Sequence, residues 1–371
     1  MSHTSHTRYT ALASGLPASV PFVGPEAQER ARGAAFDARL GANENVFGPS
    51  PHAIAAMQEA AQDIWMYADP ESYDLRAALA AHLGCAMEHI VVGEGIDGLL
   101  GYLVRLLIEA GDKVVTSSGA YPTFNYHVAG FGGALEMVPY RDDAEDLPAL
   151  IARAGEVGAK LVYFANPDNP MGSYTRGADI TAALSDLPDG CLLLLDEAYA
   201  EFAPKDAVPD IAIDDPRVIR MRTFSKAYGM AGARVGYAFG AAELIRSFEK
   251  IRNHFGMNRA AQAGALAALA DQDWLAQTCA KVAAARAEIG AIAHNNGLSA
   301  LPSATNFVAV DCGATGDFAR KVLGELTTRG IFVRMPFVAP QDRCIRISCG
   351  RPEDLAALAA ALPAALAAAR A

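Results

Sequence analysis

The chain has 371 residues, 52% hydrophobic and 20% charged, which is enough to bury a sizeable core over two domains and too apolar for a disordered chain. With 31 basic against 42 acidic side chains and a formal charge of −11, it offers no basic face for tracking a phosphate backbone, which argues against nucleic acid as a partner but leaves room for a small anion bound by a few local arginines. Its six cysteines form no C-x-x-C pair, the pattern of reduced core thiols in a cytoplasmic protein and not of a disulfide framework or zinc site, and its scattered histidines give no reason to expect a metal.

Residues 1–50 are rich in Pro, Gly and polar side chains, carry no export pattern at their start, and read as an N-terminal arm lying over a neighbour. Residues 51–257 alternate strand and helix and are expected to form a large domain. Asp74 to Leu83 is a predicted helix closed by Gly84, His89 to Val92 a short strand, and Ile96 to Ala110 a helix stopped at Gly111. Lys113 to Ser117, Leu161 to Ala165 and Cys191 to Leu195 are apolar on consecutive positions and read as buried parallel strands, with Val218 to Arg222 as a further short run. The β-α-β alternation predicts an α/β fold with a mostly parallel, doubly wound sheet and sites at the carboxyl ends of its strands. Residues 258–371 read as a smaller α+β domain. An Ala-rich helical region from Asn258 to about Asn295 precedes strand-like Asn306 to Val310, a helix near Asp317 to Arg329, and strand-like Ile331 to Arg334 and Cys344 to Ser348. A final helix starts around Pro352. Its alanine stretch opens with Glu353 and Asp354 and is cut by Pro363, so no run approaches the roughly 20 residues of a membrane span, and no membrane partner is expected.

Several segments carry chemistry. Gly93-Glu94-Gly95-Ile96-Asp97-Gly98 follows a strand and opens a helix, so its backbone N–H groups could cradle a phosphate. The same letters satisfy G-x-G-x-x-G, but the next strand ends in serines where a dinucleotide fold needs a ribose-binding acid. Phe124, in Tyr121-Pro122-Thr123-Phe124, is either core or a ring lying flat on a cofactor. Asn166-Pro167-Asp168-Asn169-Pro170-Met171-Gly172 is a tight turn on its plain reading; on its functional reading Asn169 donates to a phenolate oxygen, with Tyr199 as a second donor. Asp196 ends four leucines at the mouth of the sheet, where burial would raise its pKa unless a cation partners it. It either caps the next element or faces a pyridinium nitrogen. Lys226 lies between Thr223-Phe224-Ser225 and Gly229-Met230-Ala231-Gly232-Ala233-Arg234. It is a surface charge or a Schiff-base amine beside a phosphate held by hydroxyls and by the fork of Arg234; Arg222 and Arg234 are the cations that would favour its free amine. Together these residues describe a pyridoxal 5′-phosphate site, and hence amino-group chemistry.

Asn-Pro-x-Asn-Pro, Asp-Glu-Ala-Tyr-x-Glu-Phe, Arg-Thr-x-Ser-Lys-Ala and Ala-Gly-x-Arg-x-Gly-Tyr, in this order, resemble fold type I pyridoxal-phosphate enzymes of aminotransferase class I/II, and more narrowly the histidinol-phosphate aminotransferase family. The resemblance covers about residues 40–350. It implies that Lys226 forms the internal aldimine and moves the substrate proton, that Asp196 pairs with the pyridine nitrogen, and that Asn169 and Tyr199 hold the ring oxygen. Phe124 would stack on the ring where the family has a tyrosine, and Ile96, Asp97, Thr223, Ser225 and Arg234 would bind the phosphate. Tyr67 would come from the partner subunit of a homodimer with shared sites. Arg346 and Arg334 would bind the substrate's acidic group, with Asn43 beside them. The activity implied is ping-pong transfer of an amino group from an amino acid or amino phosphate to a 2-oxo acid. Departures from the family pattern are Met171 for a threonine, Met66 for an arginine, Gly98 for an acid, Val46-Phe47 in the Asn43–Gly48 stretch, and Phe22 for a tyrosine associated with the substrate phosphate. These leave open an aromatic amino-acid aminotransferase or a decarboxylase of the same fold; a nicotinamide-dependent dehydrogenase is the alternative from another class.

Overall fold

The computed structural model describes residues 8–18 and 23–371. Seven strands build the central sheet: β1 (Ile90–Gly93), β2 (Lys113–Ser117), β3 (Ala134–Val138), β4 (Leu161–Ala165), β5 (Leu192–Asp196), β6 (Val218–Thr223) and β7 (Gly236–Gly240). Their spatial order is β1-β7-β6-β5-β4-β2-β3, and every pairing is parallel except the two made by β7. The expected doubly wound sheet is therefore present. Its middle strands are apolar on both faces because helices cover both. Leu161, Tyr163, Leu192 and Leu194 pack with Leu99 and Leu103 on one side. Val162, Phe164, Leu193 and Leu195 pack with Leu150 and Ile151 on the other, as the two-residue period of a strand dictates.

Two strands had no signal in the sequence. The edge strand β3 is only half-buried, and β7 is a Gly-Tyr-Ala-Phe-Gly segment running antiparallel. In β6 the apolar run is interrupted by Arg220 and Arg222, whose guanidinium groups clamp the buried Glu197 carboxylate at 2.6 and 2.8 Å. Burial opposes the charge of Glu197, but the two arginines hold its pKa below the ordinary carboxylate value.

Helix boundaries follow the caps. The helix Tyr73–Leu83 ends on Gly84 at φ +71°, the left-handed conformation that glycine adopts at no steric cost. The helix expected over Ile96 to Ala110 spans Gly95–Leu107. The Ala-rich region is two helices, Arg259–Ala270 and Gln272–Asn295, because Asp271 breaks the run and caps the second by accepting from the Trp274 N–H at 3.1 Å.

A second, antiparallel sheet of β8 (Ser299–Ala300), β9 (Phe307–Asp311) and β10 (Cys344–Ser348) has β9 at its centre. The final helix, Pro352–Arg370, contradicts the expectation that Pro363 cuts it: it runs through Pro363 unbroken and is long and apolar enough to cross a membrane. Its Leu355, Leu358, Leu362 and Leu366 instead fill a core with Ile289, Phe307 and Val322. The arm also differs from expectation over residues 38–45. Ala38–Arg39 pairs in parallel with Ile331–Phe332 of the same chain, and the Leu40 carbonyl accepts from Ser348 N–H at 2.8 Å. Backbone pairing fixes this stretch to its own chain, where it brings Asn43 to the cavity.

Candidate active site

The carboxyl ends of β4, β5 and β6, the start of the helix Gly95–Leu107 and segments from both ends of the chain enclose a cavity of 720 Å³. Asp196, the last residue of β5, lies at its floor. Its carboxylate accepts from the Tyr163 hydroxyl at 2.7 Å and the Ala198 N–H at 3.0 Å. Burial outweighs both bonds and lifts its pKa from 3.8 to about 6. A buried carboxyl in that state would gain from a cation in contact with it.

Lys226 lies just beyond β6. Its Nζ donates to the Asn43 carbonyl at 3.2 Å and sits 5.6 Å from the Tyr199 ring centre. Asn45 fixes the lysine's backbone by donating to the carbonyls of Lys226 and Ala227 at 3.0 and 3.1 Å. The Tyr199 hydroxyl accepts from both Asn43 (3.2 Å) and Asn169 (3.3 Å). The Arg346 guanidinium donates to Asn169 Oδ1 at 2.5 Å and to the Gly41 carbonyl at 3.3 Å, while its Nε is buried with no hydrogen-bond partner among the described residues. Burial, with Arg334 adding to it, lowers the Arg346 pKa to about 10 although Tyr199 and Asp168 oppose the fall. Arg334 shares the same wall. It is paired to Arg346 through the backbone, donates to the Val23 carbonyl at 2.6 Å, and has its own pKa lowered by burial.

At the opposite end, Thr223 and Ser225 hydroxyls bond each other at 2.9 Å, and Arg234 donates to Ser225 at 3.3 Å. Arg234 stands 3.6 Å from Asp97, and Asp97 accepts from the Tyr121 hydroxyl at 2.8 Å. Ile96 and Asp97 lie in the first turn of the helix, after Gly95 at φ +75°. A Cβ on Gly95 would stand 2.5 Å from the Arg234 guanidinium, and one on Gly236 would stand 2.7 Å from the Gly95 and Ile96 backbone. The turn and the arginine are thus pressed together around the N–H groups of a helix's first turn, an arrangement suited to a phosphate.

Asn43, Ile96, Asp97, Asn169, Asp196, Tyr199, Thr223, Ser225, Lys226, Arg234, Arg334 and Arg346 all line this one cavity. Phe124 does not: it is fully buried and stacked on Tyr163 at 4.5 Å. Pro122 starts a helix, so Phe124 turns inward while Tyr121, just before the first turn, faces the cavity. Tyr121 therefore replaces Phe124 as the aromatic wall. Tyr163 was also missed; a lone phenol in the apolar strand β4 was the signal for it. Arg222 points to Glu197 and the Phe239 ring, not to Lys226, because alternate residues of a strand face opposite ways. Tyr67 lies outside the cavity of its own chain, exposed and packed at 4.8 Å on Phe255. Phe22 lies outside the described residues. Among the described residues no cluster of metal-ligating side chains exists.

The residues present fit pyridoxal 5′-phosphate. They offer a primary amine, a buried carboxyl with no bonded cation, two donors to a ring oxygen, and a glycine-walled cradle with hydroxyls and a guanidinium.

Known proteins agree. The family model for aminotransferase class I and II matches residues 38–362. A histidinol-phosphate aminotransferase of Mesorhizobium japonicum is 34% identical over 85% of this chain and 87% of its own length. One from Caulobacter vibrioides is 36% identical over 92% of this chain and 89% of its own. The crystal structure of histidinol-phosphate aminotransferase from Sinorhizobium meliloti in complex with pyridoxal-5′-phosphate is 55% identical, with a TM-score of 0.95 over 99% of each chain.

Proposed function

The chain belongs to the class I and II aminotransferases, and from that membership we propose how its cavity moves an amino group from an amino phosphate to a 2-oxo acid. It is a pyridoxal-5′-phosphate-dependent aminotransferase of fold type I, similar to the histidinol-phosphate aminotransferases. When bound, the cofactor supplies an electron-withdrawing ring that makes the substrate's α C–H acidic. The protein's residues do the rest. Asp196 would keep a carboxylate at the ring nitrogen, Asn169 and Tyr199 would hold the ring oxygen, and Tyr121 would wall one side. The helix start at Ile96 and Asp97, with Thr223, Ser225 and Arg234, would hold the phosphate. Lys226 Nζ would be the amine that carries the cofactor, and the base that takes the α proton and returns it. Donor and acceptor use the same cavity in turn.

The observation that carries this reading is the convergence of Lys226 and Asp196 on one cavity whose far wall holds two cations, Arg334 and Arg346. A pair of guanidinium groups suits the dianionic phosphate of an amino phosphate such as histidinol phosphate. The same reading divides the chain into an arm (1–50), a cofactor-binding unit (51–257) and a smaller unit (258–371), supported by the two separate sheets. A homodimer with shared sites is supported by the exposed Ile64, Trp65, Tyr67 and Phe255, a patch that a second copy would cover. The cytoplasm is proposed from the six free thiols. The test is a half-reaction panel following cofactor colour with histidinol phosphate, phenylalanine and tyrosine as donors. Histidinol phosphate should react fastest; preference for phenylalanine or tyrosine would assign the aromatic alternative.

A further inference from the structure

A second cavity, of 570 Å³, lies behind the turn that carries Asn169, with walls from residues 142–143, 171–174, 202–204, 286 and 301–304. It has the size of a small-molecule site, for which roughly 300–1,000 Å³ is usual. No step of the amino transfer proposed above uses it. Two of its charged side chains lack a partner of opposite sign. Arg286, half-buried on the helix Gln272–Asn295, donates through Nη1 to the Thr305 carbonyl at 3.1 Å, and no salt bridge among the described residues includes it. A guanidinium partly withdrawn from water without a counter-ion gains from an anion brought to it, best from a carboxylate that takes two N–H groups at once. Asp142 is exposed and likewise forms no salt bridge among the described residues. Its neighbour Asp143 is already taken: Arg343 donates to it at 2.7 and 3.0 Å, and Gln341 at 3.2 Å. Met171, Phe202, Leu301 and Pro302 supply an apolar wall. An unpaired cation, an unpaired anion and an apolar wall in one cavity match the carboxylate, ammonium and side chain of an apolar α-amino acid.

The cavity shares backbone with two turns of the candidate active site. Gly172 and Ser173 close the Asn169 turn: the Gly172 N–H donates to the Asp168 carbonyl at 3.2 Å, and the Asp168 N–H to the Ser173 carbonyl at 2.8 Å. The Ala304 N–H donates to the Gly172 carbonyl at 2.8 Å, and a Cβ on Gly172 would stand 2.6 Å from Ser303 Oγ. Phe202 is tied to the other turn, its N–H donating to the Tyr199 carbonyl at 3.0 Å. The two loops thus line the rear cavity with Gly172 and Phe202 and the catalytic cavity with Asn169 and Tyr199.

We infer that the rear cavity is a second binding site, for an apolar α-amino acid, with the carboxylate on Arg286, the ammonium at Asp142 and the side chain against Phe202 and Leu301. Occupancy is felt in the catalytic cavity through the Asn169 and Tyr199 turns, so the two sites are linked and each ligand changes the other's affinity by the same factor. Binding at the rear cavity does not depend on which donor reacts.

The probe is α-methylphenylalanine, which has no α hydrogen and so cannot give up its amino group by proton transfer. It is titrated calorimetrically into the holoenzyme while cofactor absorption is followed. Binding should leave the absorption unchanged. It should weaken roughly tenfold in Arg286→Gln, the scale of a hydrogen bond to a charged group, and about threefold in Asp142→Asn, whose exposed charge is screened. Arg286→Lys, which keeps the charge without the fork, should fall between the parent and Arg286→Gln; with Asp142→Asn it carries the test if Arg286→Gln does not fold. The amide of the probe, which lacks the carboxylate, and 3-phenylpropionate, which lacks the ammonium, should bind more weakly than the probe. With the probe saturating, the donor KM should shift about fivefold in the parent and stay constant in Arg286→Gln. No heat of binding in the parent, equal affinity in the Arg286 variants, or equal affinity for the amide would overturn the site. Binding seen only together with a change in cofactor absorption would also overturn it, by placing the probe in the catalytic cavity. Binding as expected with no shift in KM would refute the link between the cavities. If the probe binds as expected and no donor reacts, the functional reading fails and the rear site stands.

Discussion

The most demanding consequence of this site concerns Asp196 and its pH dependence. In the protein alone, burial lifts this carboxyl from 3.8 to about 6 despite the bonds from Tyr163 and Ala198, which sets about 3 kcal/mol against its charged form. A carboxyl whose folded value is raised costs stability progressively as pH climbs from the unfolded value through the folded one. The cofactor-free protein should therefore lose about 3 kcal/mol between pH ~4 and ~6 from this group alone. A cationic ring nitrogen against Asp196 would cancel that loss, so the cofactor's contribution to stability should grow by about the same amount over the same range. Thermal denaturation of cofactor-free and cofactor-loaded protein from pH 4.5 to 7.5 reads this directly, with Asp196→Asn as the control. In Asp196→Asn the growth should vanish, and the half-reaction should slow by roughly a hundredfold, the equivalent of about 3 kcal/mol. A stabilisation that is flat with pH in the parent, or that grows equally in Asp196→Asn, would refute the pairing of this carboxylate with the ring.

The other expectations are local. Tyr163→Phe removes a hydrogen bond to a buried charge and should weaken cofactor binding by roughly tenfold, at a cost of about 1.5 kcal/mol, measured by equilibrium dialysis; unchanged affinity would make Tyr163 a packing residue only. Arg346→Lys loses the planar fork and its bonds to Asn169 and Gly41, so the donor KM should rise about tenfold or more while cofactor absorption is retained. Gly236→Ala drives a methyl into the Gly95–Ile96 backbone at 2.7 Å and should destabilise the fold by about 1–3 kcal/mol, with a further loss of cofactor affinity seen in the same dialysis. Mixing Lys226→Ala with Tyr67→Ala subunits should restore activity above either parent if sites are shared; no recovery after demonstrated subunit exchange would exclude a contribution from the partner's Tyr67.

The sheet and most of the cavity were legible because they depend on local rules. Four consecutive leucines ending in Asp196 require a strand buried on both faces, and such a strand delivers its last residue to the sheet mouth. Gly236 marks where its backbone meets that of Gly95 and Ile96, and Lys226 lies three residues beyond the strand that ends at Thr223. What escaped was set by direction and by distant partners. Tyr121 and Phe124 are three residues apart, and the helix start at Pro122 leaves Tyr121 outside the helix and facing the cavity while Phe124, inside it, turns to the core. Residues 38–45 looked like free arm, since their pairing with Ile331–Phe332 spans almost the whole chain. Pro363 stayed inside a helix because tertiary packing of Leu358 and Leu362 overrides its local preference.

If Lys226 is the amine that carries the cofactor, borohydride reduction of the loaded protein followed by peptide mass mapping will reveal it. A pyridoxyl adduct is expected on the Lys226 peptide alone, with none formed in Lys226→Ala. An adduct on another lysine, or no adduct on a protein that still transfers amino groups, would contradict it.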